Sequence, residues 1–143
     1  MVMEMLEAGG LRVWYDVGAH PNDDRHPRGR FEMIDPSTLD FSLDGVVKLA
    51  GPVLFALALT QCDVIVIERA SERVARYLGS LEEVEQQRVK LNRLLTDHRG
   101  RIMRIAYEDI CANPLRYAIA IGKWLCHDFD FFCAAGVVRR IRA

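Results

Sequence analysis

Apolar residues along this chain form two kinds of segment, which predict strands that alternate with helices. Short runs rich in branched aliphatic residues predict strands at residues 11–15, 46–50, 63–67 and 101–106. Residues 64–67 are apolar at every position, which is typical of a parallel strand covered on both faces. Strands separated by helices indicate a single α/β domain over residues 1–143, with a mostly parallel sheet in a three-layer arrangement.

The longest helical signal lies between residues 74 and 98, where apolar side chains recur at steps of three or four on a charged background. Gly79 divides this region. Ser80 followed by Glu83 has the spacing of a capping box, in which two side chains satisfy backbone N–H groups at the start of a helix. We therefore expect a helix to begin after Ser80 and to run to about His98, before a glycine stop.

Two further helices are predicted near the ends of the sequence. The first begins at Met3 and stops at Gly9 and Gly10, because glycine just past a helix readily adopts the left-handed conformation. The last begins at Asn113-Pro114 and runs through Leu125. Asparagine is a favoured helix cap, and proline is a favoured first helical residue.

Composition limits the partners that we expect. The 143 residues are 50% hydrophobic and 27% charged with a net charge of −1, so a core is possible and no strong attraction to nucleic acid or to an anionic membrane is implied. The longest nearly uncharged apolar run, residues 49–59, has about half of the roughly 20 residues that a membrane-spanning helix needs, and Pro52 interrupts it. The first residues lack the basic and apolar pattern of a secretory signal.

Cysteine and histidine positions argue against a disulfide or a metal site. The four cysteines lie in apolar stretches without CxxC spacing, which predicts buried, reduced thiols in a cytoplasmic protein: Cys62, Cys111, Cys126 and Cys133. Two groups of potential metal ligands have neither an apolar frame nor a regular spacing: His20, Asp23, Asp24 and His26, and then His127, Asp128 and Asp130. We expect no metal at either group.

Arg69 is the candidate ligand-binding residue that the pattern itself offers. It follows a buried strand and precedes a helix, and ligands of open parallel sheets bind beyond the carboxyl ends of the strands. A guanidinium group at that edge can bind a phosphate group through two parallel hydrogen bonds. The alternative interpretation is an ion pair between Arg69 and Glu68, Glu72 or Asp109.

Four segments stand in an order that points to a known family. They are the opening helix, residues 15–32 with the run Pro27-Arg28-Gly29-Arg30-Phe31-Glu32, the strand that ends in Arg69, and Tyr107-Glu108-Asp109 with Asn113-Pro114. Together they resemble the bacterial sulfotransferase-like branch of the P-loop superfamily, and the resemblance covers nearly the whole chain. It implies a P-loop-type fold and a reaction that moves a sulfuryl group from 3′-phosphoadenosine 5′-phosphosulfate to an acceptor hydroxyl or amine.

The resemblance also implies roles for the donor site. Arg69 matches the family's arginine that binds the 3′-phosphate of the donor, whereas the family's partner serine is replaced by Tyr77. Arg139 and Arg140 lie near the position of a basic segment that closes over the nucleotide. A frayed basic C-terminus, which includes Arg142, is the alternative interpretation of these residues.

On the acceptor side, Arg30 and Glu32 resemble positions near the family's acceptor pocket, where a carboxylate could take the proton of the acceptor hydroxyl as a general base. Lys48 matches a lysine of many family members, which implies an acceptor-side role. A solvated loop carboxylate at Glu32 and a structural lysine at Lys48 are the alternatives. We interpret Tyr107-Glu108-Asp109 as scaffold, because a strand-to-helix junction needs capping carboxylates.

A Gly- and Ser/Thr-rich loop stands immediately before the first helix in the family, and it binds the 5′-phosphosulfate through backbone N–H groups. Only Met1 and Val2 precede that helix here. We therefore expect a domain truncated before the phosphate loop, with weak donor binding and little or no transferase activity, since losing one oxyanion donor costs about 100- to 1000-fold in rate. The alternative is a non-catalytic binding or interaction protein derived from the same fold.

The strand that feeds the phosphate loop lies inside the sheet of the family's fold. Without it, the likely flanking strands at residues 63–67 and 101–106 would have unpaired edges, so we expect self-association, a strand donated by a partner, or direct pairing of these two strands. The acceptor substrate is not identified by the sequence, and neither nucleic acid nor membrane is expected as a partner.

Overall fold

The computed structural model describes residues 1–14, 45–48, 62–125 and 128–142. These residues belong to two compact units. The central unit contains the described residues between 57 and 109, and the terminal unit contains those within 1–56 and 110–143. Each unit is an arrangement of helices and short parallel strands, so the described part of the chain is α/β.

The described elements follow one another in a fixed order along the chain. They are α1 (Val2–Ala8), β1 (Val13–Trp14), β2 (Val46–Val47), β3 (Val64–Glu68), α2 (Ser71–Leu78), α3 (Leu81–Thr96), β4 (Ile102–Ala106), α4 (Tyr107–Ala112), α5 (Pro114–Leu125) and α6 (Phe131–Arg142).

The central unit is built on the parallel pair β3 and β4. Their register places Val64 opposite Ile102 and Glu68 opposite Ala106. Parallel strands need a crossover connection, and α2 and α3 supply it. These two helices pack against each other. The apolar residues buried in this unit come from the strands and from α3: Val66, Ile105, Val84 and Leu95.

The predicted boundary between α2 and α3 is confirmed. Gly79 adopts the left-handed conformation with φ of +85°, and a Cβ there would be conformationally strained. The Ser80 hydroxyl accepts a hydrogen bond from the backbone N–H of Glu83 at 3.3 Å, as the capping box predicts. The helix then ends at Thr96, two residues before the predicted end at His98.

The strands predicted as flanks of a gap are in direct contact. β3 and β4 are hydrogen-bonded neighbours over all five residues of each strand, so no gap separates them. Of the three arrangements expected for residues 63–67 and 101–106, direct pairing is the one observed. Self-association and a strand-donating partner remain predictions, since pairing of these two strands with each other tests neither.

In the terminal unit, α1 and α5 pack on α6. Met5, Ile121 and Val138, one from each helix, are fully buried. β1 pairs with β2 in parallel, and these strands are shorter than the predicted runs at residues 11–15 and 46–50. The opening helix ends as predicted, with Gly10 at a φ of +99°.

Helix α6 corrects the interpretation of Asn113-Pro114 as the start of the last helix. α5 covers the predicted range, but a further helix follows it. The Asp130 carboxylate caps α6 by accepting hydrogen bonds from the N–H groups of Phe132 and Cys133 at 3.0 and 2.9 Å. Asp130 therefore serves as a helix cap, the role that aspartate commonly has at such positions.

The basic C-terminal residues and one cysteine also require correction. Arg139 lies within α6 and is not part of a frayed tail, because the apolar face of that helix is packed through Val138 and the helix continues to Arg142. Cys133 is exposed rather than buried, since it lies in the first turn of α6 beside the exposed Phe132. Cys62 and Cys111 are half-buried, and Cys126 lies outside the described residues.

Candidate functional site

The candidate site lies at the carboxyl edge of the β3–β4 pair. Since the strands are parallel and Glu68 is opposite Ala106, the residues that follow, Arg69 and Tyr107, emerge side by side at the same edge. The guanidinium group of Arg69 lies over the Tyr107 ring, with Cζ 3.8 Å from the ring centroid. This is a cation–π contact, which occupies a face of the guanidinium group rather than its N–H groups.

Two more arginines come from α2, the helix that begins just after Arg69. Arg73 and Arg76 are three positions apart in α2, a spacing that brings their side chains to one face of that helix. Together with Tyr107 and Glu108 from the start of α4, the three arginines line a cavity of about 310 Å³. Three guanidinium groups and one carboxylate leave this cavity with an excess of positive charge.

Few side chains of the described residues accept hydrogen bonds from the arginines of the cavity. Among the residues that the structure describes, none accepts a hydrogen bond from the side chain of Arg69 or Arg76. Glu68 is not the ion-pair partner of Arg69, because its carboxylate accepts a hydrogen bond from Arg104 Nη1 at 2.7 Å. Of the three carboxylates expected as ion-pair partners of Arg69, Glu68 is thus paired with Arg104 instead.

Glu108 is the anionic residue of the cavity. Its Oε1 atom is buried and accepts no hydrogen bond. The nearest paired cation is Arg73, whose Nη1 atom lies 3.6 Å from that oxygen. This is an ion pair but exceeds the ordinary length of a hydrogen bond. The Glu108 carboxylate is therefore held by one arginine of the cavity through an ion pair.

Arg88 holds the backbone at the base of the site. From α3, its guanidinium group donates hydrogen bonds to the backbone carbonyl oxygen of Arg69 and to the Ser71 hydroxyl. Ser71 in turn donates to Glu85 Oε1 at 2.5 Å. These contacts join the turn after β3 to α3, so the position from which the Arg69 side chain projects is fixed by a second helix.

A second ion pair ties the opposite ends of the same strands together. The Arg101 side chain donates to Asp63 Oδ2 through Nε at 3.0 Å, and its backbone N–H donates to Oδ1 at 3.1 Å. The hydrogen bonds from Arg101 lower the pKa of the Asp63 carboxyl below its ordinary value. This pair lies before β3 and β4, away from the cavity edge, and its role is structural.

Arg69 is the one predicted site residue among those that line the described cavity. Lys48 directly follows β2 and is half-buried, and Arg139 is exposed on α6; both belong to the terminal unit, whereas the cavity lies wholly in the central unit. Arg140 is in α6, and its side chain is outside the description. Arg30 and Glu32 lie outside the described residues.

Sequence reasoning found Arg69 but not the residues around it. The sequence presents Tyr107 and Glu108 as scaffold and does not distinguish Arg73 and Arg76. The signal for these two arginines is their spacing of three positions in the helix that follows Arg69. No comparable signal marks Tyr107, because its proximity to Arg69 depends on the register of two strands that are distant in sequence.

Comparisons with protein-family models, with curated proteins and with solved structures found no match to this chain. Among the described residues, no group of three or more histidine, cysteine, aspartate or glutamate side chains is placed to hold a metal ion. In the same residues, no helix combines the length and apolarity needed to cross a membrane.

Proposed function

We propose that the central unit binds a phosphate group in the cavity lined by Arg69, Arg73 and Arg76. The observation that supports this most strongly is the convergence of three guanidinium groups on one cavity, two of them without a described acceptor. Guanidinium groups carry the charge opposite to that of phosphate, and their N–H groups fit the geometry of its oxygens. The place of the cavity, at the carboxyl edge of parallel strands, is the usual place for a ligand in such sheets.

We further propose that the phosphate belongs to an adenosine nucleotide of the sulfotransferase type. Arg69 is the residue that the family resemblance assigns to the 3′-phosphate of 3′-phosphoadenosine 5′-phosphosulfate, and the cavity arginines are chemically suited to that group. Arg69, Arg73 and Arg76 would hold the 3′-phosphate by charge and hydrogen bonding. The donor itself supplies the sulfuryl group that an acceptor oxygen or nitrogen receives.

A non-catalytic binding protein is the second candidate, and the cavity offers one observation in its favour. Glu108, the carboxylate in its described lining, forms an ion pair with Arg73 at 3.6 Å, and the Tyr107 ring lies against the guanidinium group of Arg69. Both side chains therefore contact the cavity arginines, an arrangement that suits a binding site.

Calorimetric titration with adenosine 3′,5′-bisphosphate tests the binding proposal. We expect a dissociation constant near millimolar, which corresponds to only about −4 kcal/mol, because the proposal assigns only one of the two phosphate groups to the cavity arginines. Arg69→Ala should abolish the measurable binding. Arg93→Ala removes the same charge from the exposed part of α3, outside the cavity, and should leave the binding unchanged.

A sulfuryl-transfer assay distinguishes the two candidate functions. Release of the bisphosphate from 3′-phosphoadenosine 5′-phosphosulfate in the presence of a panel of hydroxyl and amine acceptors supports the transferase, provided that Arg69→Ala stops it. Binding without release supports the non-catalytic protein. Bisphosphate binding that Arg69→Ala leaves intact contradicts both.

A further inference from the structure

A carboxylate directly precedes Arg69 in the sequence, yet it does not pair with that arginine. Glu68 is the last residue of β3, and its side chain is exposed to solvent. The Arg69 guanidinium group lies over the Tyr107 ring, and no described residue accepts a hydrogen bond from it. A neighbouring carboxylate with no other partner would attract this guanidinium group and compete with an anionic ligand. What holds Glu68 elsewhere therefore matters for anion binding.

Arg104 of β4 is the residue that holds the Glu68 carboxylate. Its Nη1 atom donates a hydrogen bond to Glu68 Oε1 at 2.7 Å, which is a short, charge-assisted contact. Its Nη2 atom donates to Asn92 Oδ1 of α3, also at 2.7 Å. The guanidinium group of Arg104 is thus fixed between the end of β3 and a helix.

The register of the strands explains why this pair forms. Val66 is opposite Arg104, and Glu68 lies two residues further along β3. Residues two apart in a strand point to the same face, so Glu68 and Arg104 project from one face of the strand pair. Arg104 contacts Asn92 of α3 on that face. The Glu68 carboxylate is thereby directed toward α3, whereas Arg69 follows the strand and lies against Tyr107.

We propose that Arg104 is a positioning residue for the arginine cavity: by binding Glu68, it keeps this carboxylate from competing with a ligand for Arg69. The inference rests on the proposed function, because it requires that the cavity bind a phosphate group. Arg104 is not among the residues that line the cavity, so it acts through Glu68. Without Arg104, an uncompensated negative charge stands one residue from Arg69, within the range over which charges interact in dilute salt.

The test measures the binding of adenosine 3′,5′-bisphosphate to the full chain by nuclear magnetic resonance titration at low ionic strength. Arg104→Met removes the charge and the donors, and we expect binding to weaken about two- to fivefold, the scale of an exposed ion pair. Adding Glu68→Gln to this variant should restore the original affinity, because the competing carboxylate is then gone. The loss should shrink as salt is added, since salt screens exposed charges.

Two control variants separate the pairing of Glu68 from the net charge of the chain. Arg93→Met removes an equal charge from the exposed part of α3 and should leave the affinity unchanged. Glu82→Gln, added to Arg104→Met, restores the net charge at an exposed residue that accepts a hydrogen bond from Gln86. This second change should not restore the affinity, because the Glu68 carboxylate remains.

The outcomes distinguish this inference from the proposed function. Binding that Arg104→Met leaves unchanged overturns the role of Arg104 and leaves the cavity as an anion site. A loss that Glu68→Gln does not recover, or that Glu82→Gln recovers equally, has the same meaning. Absence of binding by the unmodified chain, or binding that Arg69→Ala does not weaken, overturns the proposed function itself. If Arg104→Met does not fold, Arg104→Gln replaces it, with the same pattern of loss and recovery expected.

Discussion

Arg69 lies over the ring of Tyr107 with its Cζ atom 3.8 Å from the ring centroid, and the two residues occupy equivalent places at the ends of paired parallel strands. A cation–π contact at an exposed site contributes about 0.5–1 kcal/mol. The more important effect of this contact is to orient the guanidinium group of Arg69. The ring limits the positions of the guanidinium group and leaves its N–H groups available to the cavity.

Replacing the aromatic ring should therefore weaken anion binding without removing the arginine. We expect Tyr107→Leu to lower the affinity for adenosine 3′,5′-bisphosphate by about two- to fivefold, the equivalent of about 0.5–1 kcal/mol. Tyr107→Phe keeps the ring and should bind almost as the unmodified chain does. Titration of both variants measures the difference, and equal losses in the two would contradict an orienting role for the ring.

Removing the Arg88 side chain should loosen the turn from which Arg69 projects. Arg88→Ala deletes the hydrogen bonds to the Arg69 carbonyl oxygen and to the Ser71 hydroxyl. We expect the free energy of unfolding to fall by only about 1 kcal/mol, because these bonds are partly exposed to solvent. We also expect weaker anion binding, because the backbone that carries the Arg69 side chain is then less firmly held. Chemical denaturation and titration measure the two effects. A stability loss with unchanged anion affinity would show that the turn is held without Arg88.

The cap at the start of α3 gives a prediction about stability alone. Ser80→Ala removes the hydroxyl that accepts from the Glu83 N–H group and should lower the free energy of unfolding by about 0.5–2 kcal/mol. Ser80→Thr retains a capping hydroxyl and serves as the control. Denaturant melts that place the alanine and threonine variants at the same midpoint would mean that the cap contributes nothing measurable.

The Asp63–Arg101 pair predicts how stability depends on pH. The Arg101 hydrogen bonds lower the pKa of Asp63 in the folded chain below the ordinary value of about 3.9. The carboxylate thus stabilises the fold above about pH 4, and this contribution is lost as the pH falls through the lowered pKa. The stability difference between the unmodified chain and Asp63→Asn should shrink between about pH 5 and pH 2 in urea melts. A difference that stays constant over this range would contradict the assignment.

Local signals in the sequence predicted the central unit well. The boundary at Gly79 depends on one glycine in the left-handed conformation. The start of α3 depends on a contact between Ser80 and Glu83, three positions apart, so both features can be predicted from residues close in sequence. Arg69 was predicted for the same reason, since a buried strand followed by a helix is a local pattern. The strand pair itself was assigned correctly to residues 63–67 and 101–106, apart from shifts of one residue at their ends.

What the sequence did not predict depends on contacts between distant residues. Tyr107 reaches Arg69 only because β3 and β4 pair in a particular register, and no feature of the tyrosine's neighbours indicates this. Residues 139–142 are interpreted from the sequence as a basic segment or a frayed C-terminus, whereas α6 continues to Arg142 and packs against α1 and α5. The ion pair between Glu108 and Arg73 likewise joins residues that are distant in sequence.

The central claim, that three arginines of one cavity bind a phosphate group, is tested most directly by observing arginine side chains during a titration. The Nε–H signals of an isotope-labelled sample can be followed by nuclear magnetic resonance as adenosine 3′,5′-bisphosphate is added. The account predicts that the signals of Arg69, Arg73 and Arg76 shift together with one dissociation constant, while that of the exposed Arg93 does not. Shifts confined to arginines outside the cavity, or no shift at millimolar nucleotide, would contradict it.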